Sequence, residues 1–319
     1  MLKLDYLTDR QYILNLLTGL LLLVCYFLMS APSVTFEDSG TLITAVVSLG
    51  VSHQPGYPLW TELTRILSSI IPGDIASSIN RTSGLLFAVA FIIFAFILDE
   101  YKVKAFYKVI FTILAGLLPA FLSQAIIAEV YGFNLLLMTS CWYSAIKSRQ
   151  ETRWLYLFAY ITGISISHHY ALLPLIIPLI YFNYRKFISS KQKLIIPLSF
   201  MFMIIGSSTY ILLLFHFRNK AGFDIIQIKS ISGLLKYYFM FSYSNESQPF
   251  IQKFLNLSLY FLKKNIFALP YYLLMLLGFT GMLFRIYKLI KDKELFELSF
   301  WIAFSIISYL GMAYSLNSY

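Results

Sequence analysis

The chain has 319 residues, of which 59% are hydrophobic and 13% charged, with a formal net charge of +10 and a mean hydropathy of +0.72. Soluble domains carry roughly 25% charged residues, so an ordinary soluble fold is set aside, and the positive balance is read as membrane topology rather than as a nucleic-acid surface. Cys25 and Cys141 both lie in apolar runs and give no disulfide framework, CxxC or metal spacing.

Runs free of Asp, Glu, Lys and Arg mark the expected membrane spans, each needing about 20 apolar residues. The first covers residues 11–36. No small-residue cleavage site clearly follows it and further spans do, so it reads as an uncleaved helix rather than a signal peptide. A first outer loop, about 31–81, precedes the runs 82–98, 109–128 and 130–146. The run 154–184 is too long for one span and short for two. It has HHY at 168–170 near its middle, followed by Pro174 and Pro178. A tight hairpin turning at His168-His169 fits it best. The runs 194–217, 265–284 and 298–319 complete nine expected spans, with a second outer loop at about 216–264. The segments GLLKYYFMFSY and FIQKFLNLSLYFLKK of that loop read as amphipathic surface helices, or as lid or acceptor-contacting elements. No internal repeat or soluble domain is evident, so residues 1–319 read as a single integral-membrane domain.

The hairpin decides the orientation. With it, the N-terminus and the connectors 99–108, 147–153, 184–193 and 285–297 share one side and hold 16 of the 25 Lys and Arg, leaving 9 opposite. The positive-inside rule then places the N-terminus in the cytoplasm. Glu37, Asp38, His53, Arg81, Glu129, His168, His169, His216 and Arg218 all fall on or near the other face, including all four histidines. Ionisable groups near membrane depth are costly and tend to mark function; the plain alternative is a set of solvated interfacial side chains. A transporter or lipid flippase would instead put such groups near the midplane, within repeated halves. A non-catalytic subunit of an envelope assembly is the other rival.

The first outer loop carries the most information. Asp38-Ser39-Gly40 suits a sharp turn. TLITAVVSLGV reads as a short apolar helix, SHQPGYPLW as a turn stiffened by Pro55 and Pro58, and LWTELTRILSSII as a second surface helix. A loop that keeps its shape can hold a carboxylate at fixed reach from a hydroxyl, and partial burial raises its pKa, as a general base requires.

The run DSGTLITAVVSLGVSHQPGYPLWTELTRIL resembles the first-loop signature of a membrane glycosyltransferase family long known as domain of unknown function 2723, which includes a eukaryotic protein O-mannosyltransferase. The family pattern is close to D-S-G-E, a spacer with L-G, then H-P-P-G-Y-P-L. Asn80 and Ser83 fit its N-x-x-S, SQAIIAEVYGFN (123–134) its A-E-V-Y-x-x-N, and GISISHHYALLPLIIP (163–178) its G-x-x-x-x-x-H. The match runs from about residue 12 to 240. Thr41 stands where the family usually has Glu, and Gln54 where it has Pro.

The resemblance implies an all-α, polytopic helical enzyme of GT-C type, with amphipathic helices in the first outer loop. Its expected partners are a polyprenyl-phosphate-linked sugar, a protein or glycan acceptor and the lipid bilayer, with no nucleic acid. Asp38 sits at the position of the presumed base; the alternative is a turn Asp capping the next helix. Glu37 is a second acid or a solvated carboxylate. His53 contacts the donor phosphate, orients Asp38 or steadies the turn. Tyr57 stacks on a sugar or anchors the loop. Glu129 gains its role from the family segment, against the ordinary preference for acids at helix N-termini. His168 and His169 bind phosphate oxygens or reach water. The family arginine aligns with His216 or Arg218, and Arg218 with Lys220 forms a phosphate clamp or an interfacial anchor. A divalent metal ion on His53, Glu129 and His168 is the one cofactor these residue types allow, though no ligand spacing supports it. The setting is the bacterial inner membrane, or the endoplasmic reticulum in a eukaryote.

Overall fold

A computed structural model describes residues 9–169, 194–218 and 230–239, with single positions between 172 and 183 and between 280 and 287. Among these residues the architecture is entirely helical. Contacts divide the chain into two units, residues 1–172 with 190–239 and residues 173–189 with 240–319. The expected surface helix at 250–264, Lys220, the span expected at 298–319 and all but four positions of the span expected at 265–284 lie outside the described residues.

Helix α1 (Asp9–Met29) has no charge after Arg10 and leaves Leu16, Leu17, Leu20 and Leu21 exposed, as a lipid-facing span does. Its 21 residues reach about 31 Å, the thickness of a bilayer core. Helices α2 (Ser39–Ser48) and α3 (Pro58–Ser68) follow in the first loop. Helix α4 (Ile75–Glu100) is the longest, at 26 residues. Asp74 caps it by accepting the Ser77 N–H at 2.9 Å. Helix α4 packs against α1, α3 and the later α5 (Ala105–Gly116), α6 (Pro119–Ala125) and α7 (Tyr131–Lys147). Its Phe87, Ala88 and Phe91 share a core with Leu22, Tyr26 and Ala125.

The run 109–128, expected as one span, is instead broken. Helix α5 stops at Gly116, Pro119 opens α6, and the two axes bend by 63°. Proline has no N–H to continue the ladder and pushes the preceding residue out of helical geometry. The Gly116 carbonyl accepts the Tyr26 hydroxyl at 2.8 Å.

Helix α8 (Thr152–His168) ends at His168, and His169 is extended, so the helix stops where the hairpin was expected to turn. Helix α9 (Ile195–Ser207), a 3₁₀ turn (Ser208–Ile211) and α10 (Leu212–Arg218) form the third helical run long and apolar enough to cross a membrane, after α1 and α4. Counting the bent pair gives four. Helices α7 and α8, at 17 residues, stand at the short limit for a span. Helix α11 (Ile231–Phe239) supplies the start of the expected surface helix in the second loop.

Helices α8 and α9 cross through Gly163 and Gly206. A Cβ on Gly206 would lie 2.1 Å from the Tyr160 carbonyl oxygen, and one on Gly163 would lie 2.0 Å from that of Met203. Small residues allow helices in lipid this approach. Gly206→Ala is therefore expected to force the pair apart and cost more than the ~1–3 kcal/mol of ordinary overpacking. The measurement is the thermal midpoint in detergent; an unchanged midpoint would contradict the crossing.

At the other end of α4, the basic connectors carry paired charges. Lys108 and Asp99, each 1% exposed, pair at 2.6 Å, and Asn15 donates to the other Asp99 oxygen at 2.7 Å. Lys147 meets Glu100 at 2.8 Å. Two of the lysines counted toward the positive side are therefore matched by neighbouring carboxylates.

Candidate active site

The site begins in backbone geometry. Glu37 (φ 64) and Tyr57 (φ 43) are left-handed non-glycine residues, Gly56 has φ 97, and the Gln54–Pro55 peptide is cis. Left-handed backbone at a non-glycine costs about 1–3 kcal/mol and persists only where the surroundings enforce it. They do so here. Tyr210 donates to the Pro55 carbonyl at 3.0 Å and Tyr237 to that of Ser52 at 3.2 Å. Gln54 donates to the Tyr237 carbonyl. Val51, Tyr210, Leu213, Leu234 and Tyr237 bury the turn's underside. A proline side chain at 54 would have no amide to donate, so the departure from the family pattern gains a bond.

Asp38 occupies the N-cap of α2, yet its carboxylate caps nothing. The helix start is held through the Asp38 carbonyl instead, which accepts the Leu42 N–H at 3.0 Å and the Thr41 hydroxyl at 2.7 Å. The capping alternative therefore fails, and Thr41 steadies the backbone of the residue it follows. The Asp38 side chain is 39% exposed and its Oδ2 lies 3.6 Å from His53 Nε2, longer than a hydrogen bond. The same Nε2 is 3.2 Å from the Tyr57 hydroxyl. Burial holds the His53 imidazole below its ordinary pKa against the opposing pull of Asp38. A neutral His53 leaves the carboxylate its charge without locking it in an ion pair.

Tyr57 is the hub. Its ring meets His53 at 5.3 Å and His168 at 5.4 Å, both edge-on, and stacks on His169 at 5.7 Å. Phe133 of α7 meets His168 at 4.8 Å. His168 is buried, and neither ring nitrogen has a hydrogen-bond partner among the described residues.

Glu129 lies in the connector 126–130 between α6 and α7 and is 3% exposed. Burial, with smaller contributions from the negative charges of Asp38 and Glu37, pushes its carboxyl up to about 8. Below that pH it is a neutral acid able to donate a hydrogen bond. Glu37 is exposed and contributes charge rather than contact. The raised value has a thermodynamic sign. The folded chain keeps a proton that the unfolded chain has released, so the stabilisation is complete below about 4.5 and is lost as pH rises to about 8. The thermal midpoint is expected to fall between about pH 5 and 8, with the Glu129 component of that slope absent in Glu129→Gln; identical slopes in both proteins would refute it.

Asp38, His53, Tyr57, His168 and His169 thus form a connected group, with Glu129 coupled to it by charge. His216 belongs to a different contact. Its Nε2 lies 2.7 Å from Glu62 Oε1 of α3. Glu62 was not singled out from sequence; the lone acid in LWTELTRIL was the available signal. Arg218 closes α10, and its side chain is outside the described residues. Among the described residues no three His, Cys, Asp or Glu side chains come together as a metal site.

Residues 38–194 match the family model described as "Protein O-mannosyl-transferase TMEM260 N-terminal domain". This segment is similar to that family over just under half of the chain. It starts at Asp38 and takes in His53, Tyr57, Glu129, His168 and His169. A Dictyostelium discoideum protein named "Protein O-mannosyl-transferase tmem260" is 24% identical over 238 residues, 67% of this chain and 29% of that protein. A Mus musculus protein of the same name is 46% identical over 66 residues, 20% of this chain and 9% of that protein. The chain spans less than a third of the length of these relatives. No solved structure matches it.

Proposed function

We propose that the chain is a membrane glycosyltransferase of GT-C type that moves mannose from a polyprenyl-phosphate donor to a Ser or Thr hydroxyl of a protein, on the face opposite the cytoplasm. The observation that carries this reading is the Asp38 carboxylate, released from capping, part exposed, and 3.6 Å from the partly buried His53. The family names add the reaction class, and the Lys/Arg bias adds the side of the membrane.

The chemistry is a single displacement. Asp38 takes the proton of the acceptor hydroxyl as its oxygen bonds to the anomeric carbon. The bond from that carbon to the phosphate oxygen breaks, and the lipid phosphate leaves with the electron pair. Attack opposite the leaving group inverts the centre. A phosphate leaving group needs little protonation, so one ionised carboxylate suffices, unlike the working pair of a glycosidase. Glu129, neutral near pH 7, donates a hydrogen bond to the donor where a second negative charge would repel its phosphate. His53, His168, His169 and Tyr57 form the wall against which sugar and phosphate are held, and Arg218 lies at the end of α10 as a further phosphate ligand. No step is routed through a metal ion.

The test is transfer by the purified protein from polyprenyl-phosphate mannose to a Ser/Thr-rich polypeptide. Inverted mannosyl linkage on the acceptor is the expected product. No transfer from this donor would overturn the reading and favour a transporter or a non-catalytic subunit.

A further inference from the structure

Asn80 and Ser83 of α4 do something their neighbours do not. Ser78 and Thr82 turn their hydroxyls back to carbonyls of their own helix, Ile75 at 3.1 Å and Ser78 at 3.0 Å. Asn80 and Ser83, three residues apart and so on one face, reach across to other segments. Asn80 Nδ2 donates to the carbonyls of Ala31 at 2.8 Å and Ser33 at 3.0 Å, just upstream of Asp38. Ser83 Oγ donates to the Glu129 carbonyl at 3.2 Å and accepts the Glu129 N–H at 3.1 Å. The two segments are also joined directly, Ala31 N–H donating to the Ile126 carbonyl at 2.8 Å.

Both side chains are sealed from solvent, Asn80 at 0% and Ser83 at 1% exposed. Two glycines permit the approach. A Cβ on Gly84 would lie 2.9 Å from Tyr26 Cβ and 3.1 Å from the Ala125 carbonyl oxygen, and one on Gly132 would lie 2.9 Å from the Ser83 carbonyl oxygen. One helical face therefore grips the strand of chain that leads to one carboxylate and the residue that bears the other.

We infer that Asn80 and Ser83 are positioning residues that set the placement of Asp38 relative to Glu129, and with it the reach of the base toward the acceptor. The inference rests on the reading of this site as a transferase. Catalytic groups need placement within about 0.5 Å, and an error of about 1 Å is worth roughly 10²-fold in rate. Side chains spent on the backbone of Ala31 and Ser33, upstream of Asp38, and of Glu129 supply that fixity; neither touches the reacting atoms.

The test uses the full chain and two readouts. The first is the protonated-carboxyl infrared band of Glu129, assigned by its loss in Glu129→Gln and titrated against pH; it needs no turnover. The charges acting on Glu129 are Asp38 and Glu37. Ser83→Ala frees the Glu129 backbone and is expected to move that titration from about 8 toward the ordinary carboxylate value, as is Asn80→Ala through Asp38. The second is steady-state transfer, in which kcat falls about 10–100-fold while KM for donor and acceptor stays within about twofold, with recovery in Ser83→Thr, which keeps the hydroxyl. An unmoved titration in folded Ser83→Ala overturns the inference, as does a loss confined to KM. If Ser83→Ala does not fold, Ser83→Cys is read in the same way, and failure of both to fold overturns a positioning role in favour of a purely structural one. A shifted titration in a parent that shows no transfer would sink the transferase reading and leave the coupling intact.

Discussion

Asp38→Asn is expected to lower kcat for transfer by roughly 10²–10⁴-fold, the worth of a positioned general base, with the folded yield and thermal midpoint unchanged. The separation of these two effects follows from the N-cap geometry. Replacing an Asp that caps through its side chain costs about 0.5–2 kcal/mol. This one makes no such bond, and the start of α2 hangs on its carbonyl. Asparagine keeps the shape and the carbonyl and removes only the charge and basicity. Glu37→Gln is the control, because Glu37 is exposed and acts only as a distant charge. Transfer by Asp38→Asn at the parent rate would end the assignment, and a loss matched by Glu37→Gln would reduce it to a general field effect.

Lys108→Met should have the largest effect on stability among the charged residues. It leaves Asp99, 1% exposed, with Asn15 as its remaining partner. Stranding one member of a buried ion pair costs about 3–5 kcal/mol, whereas removing both charges together is often neutral. The double variant Asp99→Asn/Lys108→Met is therefore expected to regain most of the lost thermal midpoint. Melting of Lys108→Met at the parent temperature, or a double variant no better than the single, would show that the pair is not buried as a unit. Lys147→Met should cost less, since Lys147 and Glu100 remain 17% and 14% exposed.

Sequence reading reached the local features and missed the distant ones. The apolar periodicity and prolines of 36–70 foretold α2, the rigid turn and α3, because each depends on residues within a few positions. The His168-His169 pair marked the true end of α8 for the same reason. Asp38 stood out through its family motif; in the structure it lies 3.6 Å from His53 and is less exposed than Glu37. What stayed hidden was which side chain meets which. Glu62 meets His216 across 154 positions, and Tyr237 reaches Ser52 across 185. Helical periodicity tells which face is apolar, not which neighbour covers it. The break at Pro119 was visible as a residue, but an uncharged run of 20 reads as one span whether or not it bends. Lys108 was counted only as a cation of a basic connector, because charge alone says nothing about burial.

The tyrosines that grip the proline turn carry one more consequence. The turn lies at 52–58, within the family segment 38–194, but Tyr210 and Tyr237, whose hydroxyls close on it, lie beyond that segment. During synthesis the ribosome has made the turn some 150 residues before its clasps exist. His53 and Tyr57 can take up their final geometry only after the later helices have entered the membrane and docked. Completion of the candidate site is thereby tied to the insertion of α9 through α11, and a fragment cut to residues 38–194 would lack the clasps that shape its own signature.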